Sequence, residues 1–213
     1  SRRLTNSSVA VESGLIHHPP ADVHSLAAAD EAAELYAAYR HPLDDEQRLT
    51  LDGAMAERED GSWSAGEVGD FKGRQSGKND TIECRELYGL QLGGDKLIIH
   101  TAHEFPTCNE AFLRMASLYE NYDDLRKRVA RIRYANGEQG IEFLNGARIK
   151  YRARTGGSGR GFTKADVVFY DEAQHLNAEH LAASMPTMLA NPNFQAWYMG
   201  SGALEQSSQA WKL

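Results

Sequence analysis

The sequence predicts an α/β fold in which a mostly parallel sheet is covered by helices on both faces. Short apolar runs at 96–100, 167–170 and 194–199 alternate along the chain with longer segments of helical periodicity. Continuous apolar strands of this length are typical of parallel sheets that are buried on both sides. A glycine-rich segment at 73–79 and an acidic pair at 171–172 each follow a predicted strand, where open α/β sheets bind their ligands.

Each predicted element follows from local spacing and from the residues that begin or end it. Ala, Leu and Tyr recur at helical spacing in the first segment, which Asp22 is placed to cap and which His41-Pro42 ends. Asn145-Gly146 lies between two alternating runs and is a strong hairpin signal. In chain order we expect helices at 22–40 and at 44–58 (with Asp44 or Asp45 near its start), a strand at 63–71, a helix at 77–92, a strand at 96–100, a long helix at 107–134, a hairpin at 139–154, a strand at 167–170, a helix at 178–190 and a strand at 194–199.

The composition fits one globular domain with an arm. Of the 213 residues, 41% are hydrophobic and 25% are charged, which is enough apolar material for a core. We expect residues 1–21 to form a flexible arm and residues 22–213 to form the domain. No apolar run is long enough to cross a membrane, and the first residues lack the apolar core of a signal peptide. Cys84 and Cys108 without a CxxC pattern indicate two reduced thiols.

The net charge of −7 argues against a static, high-affinity grip on DNA, because proteins of that kind are usually basic. A local basic stripe, or a motor that holds DNA transiently, stays compatible with this charge. The second of two basic clusters has a period of two, so its side chains share one face of a strand. Phosphate contacts, subunit contacts and a solvated face all remain open for both. The clusters are Arg126, Lys127, Arg128, Arg131 and Arg133, and Arg148, Lys150, Arg152 and Arg154.

The segment Gly73-Arg74-Gln75-Ser76-Gly77-Lys78-Asn79 lies between a predicted strand and a predicted helix. Backbone N–H groups in such a loop, together with the helix N-terminus, surround a phosphate, and the lysine reaches the outer phosphates. Two positions depart from the usual GxxxxGK[ST] pattern. Lys72 stands where the first glycine is expected, and Asn79 replaces the hydroxyl residue, although its amide oxygen can still approach Mg²⁺. A surface turn with a solvated lysine is the competing interpretation.

The acidic pair Asp171-Glu172 directly follows the apolar run at 167–170. In phosphate-loop ATPases an Asp at this position holds Mg²⁺, and the next Glu polarises the attacking water. The long separation between Lys78 and Asp171 leaves room for other strands along the chain, so the acidic strand can lie beside the phosphate-loop strand. An acidic pair after a strand can also be a helix cap.

Taken in order, these segments resemble the motifs of phage large terminase subunits. The run Arg-Gln-Ser-Gly-Lys-Asn at 74–79 is similar to the deviant Walker A of that family, and Asp-Gly-Ser-Trp at 60–63 before a strand is similar to its lead-in. The resemblance covers roughly residues 43–203. It implies three further roles, which are adenine recognition by Gln47, an arginine finger at Arg160, and a coupling motif at Gly200, Ser201 and Gly202.

The resemblance implies a P-loop NTPase of the ASCE, RecA-like type that hydrolyses ATP with Mg²⁺ and drives double-stranded DNA into a procapsid. The implied partners are double-stranded DNA, the small terminase subunit, the portal protein and further copies in a ring, all in the host cytoplasm and without a membrane. An arginine finger supplied by a neighbour would leave the isolated chain monomeric and slow, and we expect no C-terminal nuclease domain. The implied site comprises Lys78, Arg160 and Glu172 as catalytic residues, Gln47, Arg74, Gln75, Ser76, Gly77, Lys78 and Asn79 around the nucleotide, and Asp171 and Asn79 at Mg²⁺.

Two other functions stay open at this point. Asp-Glu-Ala-Gln at 171–174 is also similar to the DExx box of helicases. The shifted phosphate loop and Asn79 are compatible with a scaffold that binds a nucleotide and does not hydrolyse it. A zinc site is not expected at His100 and His103, because two histidines at a strand end do not share a helix face.

Overall fold

A computed structural model describes residues 18–73, 77–154, 164–178, 180–182 and 190–201. Most of the expected arm therefore lies outside the described residues. The expected helix at 178–190 is described in part, with helical conformation at 178, 180–182 and 190. The elements, in chain order, are α1 (Ala27–Tyr39), α2 (Asp45–Ala54), β1 (Glu67–Lys72), α3 (Lys78–Tyr88), β2 (Leu97–Ala102), α4 (Phe105–Asn121), α5 (Asp123–Arg126), β3 (Val129–Arg133), β4 (Gly140–Phe143), β5 (Arg148–Ala153), β6 (Val167–Tyr170) and β7 (Gln195–Ser201).

The described strands form one seven-stranded sheet in the order β1-β7-β6-β2-β5-β4-β3. The first five strands in this order run parallel, while β4 is antiparallel to both β5 and β3. The prediction of a mostly parallel sheet is confirmed. The expectation that the acidic strand β6 lies beside the phosphate-loop strand β1 is wrong, because β7 pairs with both of them. Buried side chains from Gln195 to Met199 explain why β7 is an interior strand, flanked by β1 and β6, since a strand buried on both faces needs cover on both sides.

Two apolar cores cover the two faces of the sheet. Successive residues of β2 alternate between them, so that Ile98 belongs to the larger core and Ile99 to the smaller one. The larger core is covered by α1 to α4, and Leu181 packs against the smaller core. Helices therefore lie on both faces, as the sequence predicts.

The local predictions succeed where turn chemistry decides the conformation. Gly146 has φ +83° between β4 and β5, which confirms the hairpin. Asp44 begins α2 by a reciprocal capping box with Gln47. Asp22 is not the cap of α1, because that helix begins at Ala27, whose N–H donates to the hydroxyl of Ser25.

The expected long helix at 107–134 is wrong in its second half. Helix α4 ends at Asn121, and Val129–Arg133 is strand β3. Val129 and Ile132 pack against the larger core while the strand pairs with β4. Long-range pairing therefore overrides the local helical spacing, as is usual for short half-buried strands.

Both cysteines are free and buried, in agreement with the prediction of two unpaired thiols. Burial raises the pKa of Cys84 and of Cys108 to about 12. Across the residues that the structure describes, no helix is both long and apolar enough to cross a membrane.

Candidate active site

The carboxyl ends of the parallel strands β1, β7, β6 and β2 meet at one edge of the sheet. This edge brings together residues that lie far apart in the sequence. Lys78 follows β1, Ser201 ends β7, the pair Asp171-Glu172 follows β6, and His103 follows β2. Ligands of open α/β sheets bind at such an edge, so the topology places the predicted site residues where their chemistry requires them.

Gly77 begins α3 in a left-handed conformation with φ +71°. A Cβ atom at this position would collide with Nε2 of Gln47. The same Nε2 atom donates to the carbonyl of Gly77 at 3.0 Å, and Oε1 of Gln47 accepts the N–H of Asp44 at 2.8 Å. Gln47 thus lies against the phosphate loop with both ends of its amide engaged, and its contact with adenine stays a prediction. Arg74, Gln75 and Ser76 lie outside the described residues.

The ammonium group of Lys78 is surrounded by oxygen acceptors. Its Nζ donates to Oγ of Ser201 at 3.0 Å and to the carbonyls of Lys72 and Gly73 at 3.4 and 3.5 Å. Burial lowers the pKa of Lys78, while the negative charge of Asp171 opposes that shift. Lys78 therefore links the phosphate loop to the predicted coupling motif at Ser201, whose last residue, Gly202, lies outside the described residues.

Lys72, which departs from the usual loop pattern, has a structural use that sequence reasoning missed. Its Nζ atom lies 3.4 Å from Oδ2 of Asp70 and donates to Oγ1 of Thr50 at 3.1 Å. Burial raises the pKa of Asp70, and Lys72 opposes that shift. The period of two in β1, which places 68, 70 and 72 on one face, is the signal that could have indicated this pair.

The acidic pair forms a tight turn after β6. Oδ1 of the buried Asp171 accepts the N–H of Glu172 at 2.8 Å, and Glu172 has a left-handed backbone with φ +53°. Oε2 of Glu172 accepts the N–H groups of His103 and Glu104 at 3.0 and 3.3 Å, while Oε1 accepts from the hydroxyl of Thr107 at 3.3 Å. Glu172 therefore holds the backbone just before α4. Neither α4 nor the short helical turn Ala173–His175 has a side-chain cap, so the helix-cap alternative for the acidic pair is wrong.

Arg154 does not belong with the basic residues that precede it in β5. Arg148 is exposed, and Lys150 and Arg152 are partly exposed on the same face of the strand. Arg154 is 7% exposed, and its guanidinium group binds backbone carbonyls beside the acidic pair. The prediction that all four could contact DNA is therefore wrong for Arg154, because the side chain is buried and its Nη1 and Nη2 atoms bind oxygens inside the protein.

Asn79, the predicted second Mg²⁺ ligand, lines a small cavity between α3, α4 and β2. The cavity is also bounded by Glu86 and His100. Nδ1 of His100 lies 2.7 Å from Oε1 of Glu86, and the ring of His103 stacks on His175. Arg160 lies outside the described residues, so the roles of Arg160 and Asn79 stay predictions.

The mostly parallel sheet, with Lys78 at the start of α3 and the acidic pair after β6, defines the fold class, which is α/β with these residues at the carboxyl edge of the sheet. Within this class the chain has the fold of the ATPase domain of phage large terminases. The large terminase of bacteriophage HK97 superimposes with a TM-score of 0.69 and 14% identity, over 81% of this chain and 37% of that protein.

Two further solved structures show the same fold. An arginine-to-alanine mutant of the large terminase ATPase domain of Thermus phage P74-26 has a TM-score of 0.55 and 14% identity, over 67% of this chain and 62% of that one. The large terminase of another thermophilic bacteriophage has a TM-score of 0.52 and 10% identity, over 75% of this chain and 38% of that one. No protein-family model and no curated protein matches the sequence. The terminase resemblance seen in the motifs is thus confirmed at the level of the fold.

Proposed function

We propose that this chain is the ATPase domain of a phage large terminase, which hydrolyses ATP with Mg²⁺ to drive double-stranded DNA into a procapsid. One observation carries the proposal. Lys78 donates to Ser201 and interacts electrostatically with Asp171, at the ligand-binding edge of a fold shared with terminase ATPase domains. The three residues lie on three different strand ends, so a local structural role does not explain their convergence.

In this proposal the γ-phosphate of ATP lies between Lys78 and Glu172. The ammonium group of Lys78 and the N–H groups at the start of α3 stabilise the charge on the outer phosphates. Glu172 orients a water for attack on the γ-phosphorus and accepts its proton, while the bond to the bridging oxygen breaks and ADP leaves. Oε1 of Glu172 suits this role, because its 3.3 Å bond from Thr107 is long enough to exchange for a water.

Asp171 and Asn79 are the residues proposed to hold Mg²⁺. Their carboxylate and amide oxygens are the hard donors that this ion prefers, and it needs few protein ligands because it retains water and phosphate oxygens. The bond from Glu172 N–H to Oδ1 fixes the orientation of the Asp171 carboxylate. When bound, Mg²⁺ would neutralise negative charge on the outer phosphates.

The surface proposed to contact DNA is the cationic sheet face, which we define by its five cations. The register of β3, β4 and β5 places them on one side of the sheet, with Glu142 as the acidic residue between them. The opposite side of these strands packs on α4 through the ring pairs Tyr119–Phe143 and Phe112–Tyr151. The cations are Arg131, Arg133, Arg148, Lys150 and Arg152.

The cations of this face outnumber its carboxylates, and they repel one another. Partial burial lowers the pKa of Lys150, and the neighbouring charges of Arg148 and Arg152 lower it further. Arg133 is paired with Glu142 at 2.9 Å, which leaves an excess of positive charge on a chain whose net charge is −7. A phosphate backbone supplies the missing anions without requiring a base sequence, as a packaging motor needs.

The assembly is proposed from the resemblance to terminases. Copies of the chain form a ring, Arg160 enters the site of the neighbour, and the ring engages the small terminase subunit and the portal protein in the host cytoplasm. The bond from Lys78 to Ser201 supports a coupling role for Gly200-Ser201-Gly202, because phosphate binding at Lys78 competes with that bond.

ATP hydrolysis by the chain and by Glu172→Gln tests the proposed function. We expect Mg²⁺-dependent turnover that falls by at least about 10²-fold in the variant, which is the range of general-base catalysis. Glu104→Gln is the matched control, because Glu104 is an exposed carboxylate in the loop that binds Glu172. Tight ATP binding without turnover at any protein concentration would instead support the non-hydrolysing scaffold.

The dependence of the rate on protein concentration tests the ring. Specific activity that rises with concentration and drops roughly 10³-fold in Arg160→Ala indicates a finger supplied by the neighbour. Duplex DNA that raises the rate without strand separation supports a packaging motor, whereas unwinding of the duplex would favour the helicase-type ATPase.

A further inference from the structure

We propose that Arg154 is a positioning residue for ATP hydrolysis, which fixes the backbone turn of Asp171-Glu172 and thereby aims the Glu172 carboxylate. The inference rests on the proposed hydrolysis and adds a residue that the phosphate-loop and acidic motifs do not contain. Arg154 lies at the end of β5, two strands away from the acidic strand β6, with β2 between them.

The guanidinium group of Arg154 spans the ends of these strands. Nη1 donates to the carbonyl and the hydroxyl oxygen of Thr101, at 2.9 and 3.0 Å. Nη2 donates to the carbonyls of Asp171 and Glu172, at 2.6 and 3.1 Å. One planar group therefore holds the end of β2 and both carbonyls of the acidic turn at a fixed separation.

The turn needs such a restraint. Glu172 has φ +53° and ψ +46°, a left-handed conformation that is unfavourable for a residue with a Cβ atom. Conformations of this kind persist where the surroundings hold them, and they cluster at functional sites. Without the bonds from Nη2, the carbonyl of Glu172 is held only by the N–H of His175, and the carbonyl of Asp171 loses the bond to the guanidinium group. The turn is then less restrained in its unfavourable conformation, and a change in the turn alters the direction of the Glu172 side chain.

The environment of Arg154 points to positioning and not to a surface role. The side chain is buried, and it contacts backbone oxygens and one hydroxyl, so its bonds act on the course of the chain. Burial lowers the pKa of Arg154 to about 10, against the opposing charges of Asp171 and Glu172, so the group stays protonated at neutral pH. Its Nε atom, in contrast, is buried without a hydrogen-bond partner.

Lysine cannot reproduce this arrangement. A lysine keeps the positive charge near the acidic pair, but its single ammonium group lacks the rigid, planar fork that reaches Thr101 on one side and the acidic turn on the other. Arg154→Lys therefore separates a geometric role from a purely electrostatic one. Arg58→Lys is the matched control, since the Arg58 guanidinium also binds two backbone carbonyls, those of Trp63 and Ser64, but in the segment before β1 and not at the acidic pair.

The experiment measures steady-state ATP hydrolysis, the Kd for a fluorescent ATP analogue and the melting temperature for the full chain and each variant. For Arg154→Lys we expect kcat to fall by roughly 10²-fold, as for a misplaced general base, with the analogue Kd changed less than about threefold. In the Glu172→Gln background the same change should cost little more, because both substitutions act through one carboxylate. Arg58→Lys should retain the parental kcat and Kd.

The outcomes separate this inference from the proposed function. An Arg154→Lys variant that folds and retains the parental kcat overturns the positioning role and leaves the proposed hydrolysis intact. Absence of turnover in the parent chain and in Arg58→Lys overturns both. Should the lysine variant not fold, Arg154→Gln is measured in its place with the same expected split. Unfolding of both variants would assign Arg154 to stability alone and would also overturn the inference.

Discussion

Basic side chains at alternate positions of β5 lie on one face of the sheet, but their surroundings differ from one end of the strand to the other. At the amino end, Arg148 is exposed, and its charge adds to the repulsion around Lys150. At the carboxyl end, Arg154 is buried, and its guanidinium group makes four hydrogen bonds to oxygens beside the acidic pair. The same residue type is thus exposed to solvent at one end and bound to the backbone of the acidic turn at the other.

The difference follows from the sheet topology. All of β5 pairs with the parallel strand β2, and Arg154, just beyond its carboxyl end, reaches the acidic turn after β6, where a buried charged group needs hydrogen-bond partners. On its other side the amino half of β5 pairs with β4, which in turn pairs with β3, and these strands have one face against α4 and the other carrying the cations. Burial, and not residue identity, separates Arg154 from the cationic sheet face.

The largest expected effect distinguishes the two lysines on either side of the phosphate loop, Lys72 at the end of β1 and Lys78 at the start of α3. Lys78→Ala removes the cation proposed to stabilise the outer phosphates, so we expect ATP hydrolysis to fall by at least about 10²-fold. Lys72→Arg keeps the positive charge that pairs with Asp70 and should stay within about threefold of the parent. Steady-state hydrolysis assays compare the two variants. Equal losses in both would contradict the separate roles assigned to these lysines.

A smaller effect is expected from two glycines with the same backbone conformation. Gly77→Ala combines the strain of φ +71° with a collision against Gln47, so we expect ATP binding to weaken about tenfold and the free energy of unfolding to fall by about 1–3 kcal/mol. Gly94 has φ +76° with no atom near a built Cβ, so Gly94→Ala should lose stability and keep its ATP affinity. Nucleotide titration with urea unfolding tests this contrast, which fails if both variants bind ATP equally.

The smallest effect on hydrolysis is expected from the cationic sheet face. In Arg148→Ala combined with Lys150→Ala, the slope of log affinity for duplex DNA against log salt should decrease by about 2, because each lost phosphate contact removes about one released counterion. Hydrolysis without DNA should change less than twofold. Titrations of a labelled duplex at several salt concentrations measure the slope, and an unchanged slope would exclude this face as the phosphate-binding surface.

The sequence could indicate those parts of the site that depend on one short segment. Gly77-Lys78 and Asp171-Glu172 each follow a strand, so their position at the carboxyl edge of the sheet follows from the local pattern. The place of β7 between β1 and β6 and the strand conformation of residues 129–133 depend on pairing with distant segments, which spacing along the chain does not encode. The role of Arg154 was missed for the same reason, because a period of two assigns it to the face of Arg148 and says nothing of the strand end.

The two buried cysteines make the protein convenient for chemical probing. A thiol with a pKa of about 12 is almost entirely protonated near pH 7.5, and both Cys84 and Cys108 are enclosed by the core. A maleimide dye should therefore react with a single cysteine introduced on an exposed strand position and leave the native pair unmodified while the protein is folded. Fluorescent or crosslinking reporters can be placed on the cationic sheet face one position at a time, without first removing either native thiol.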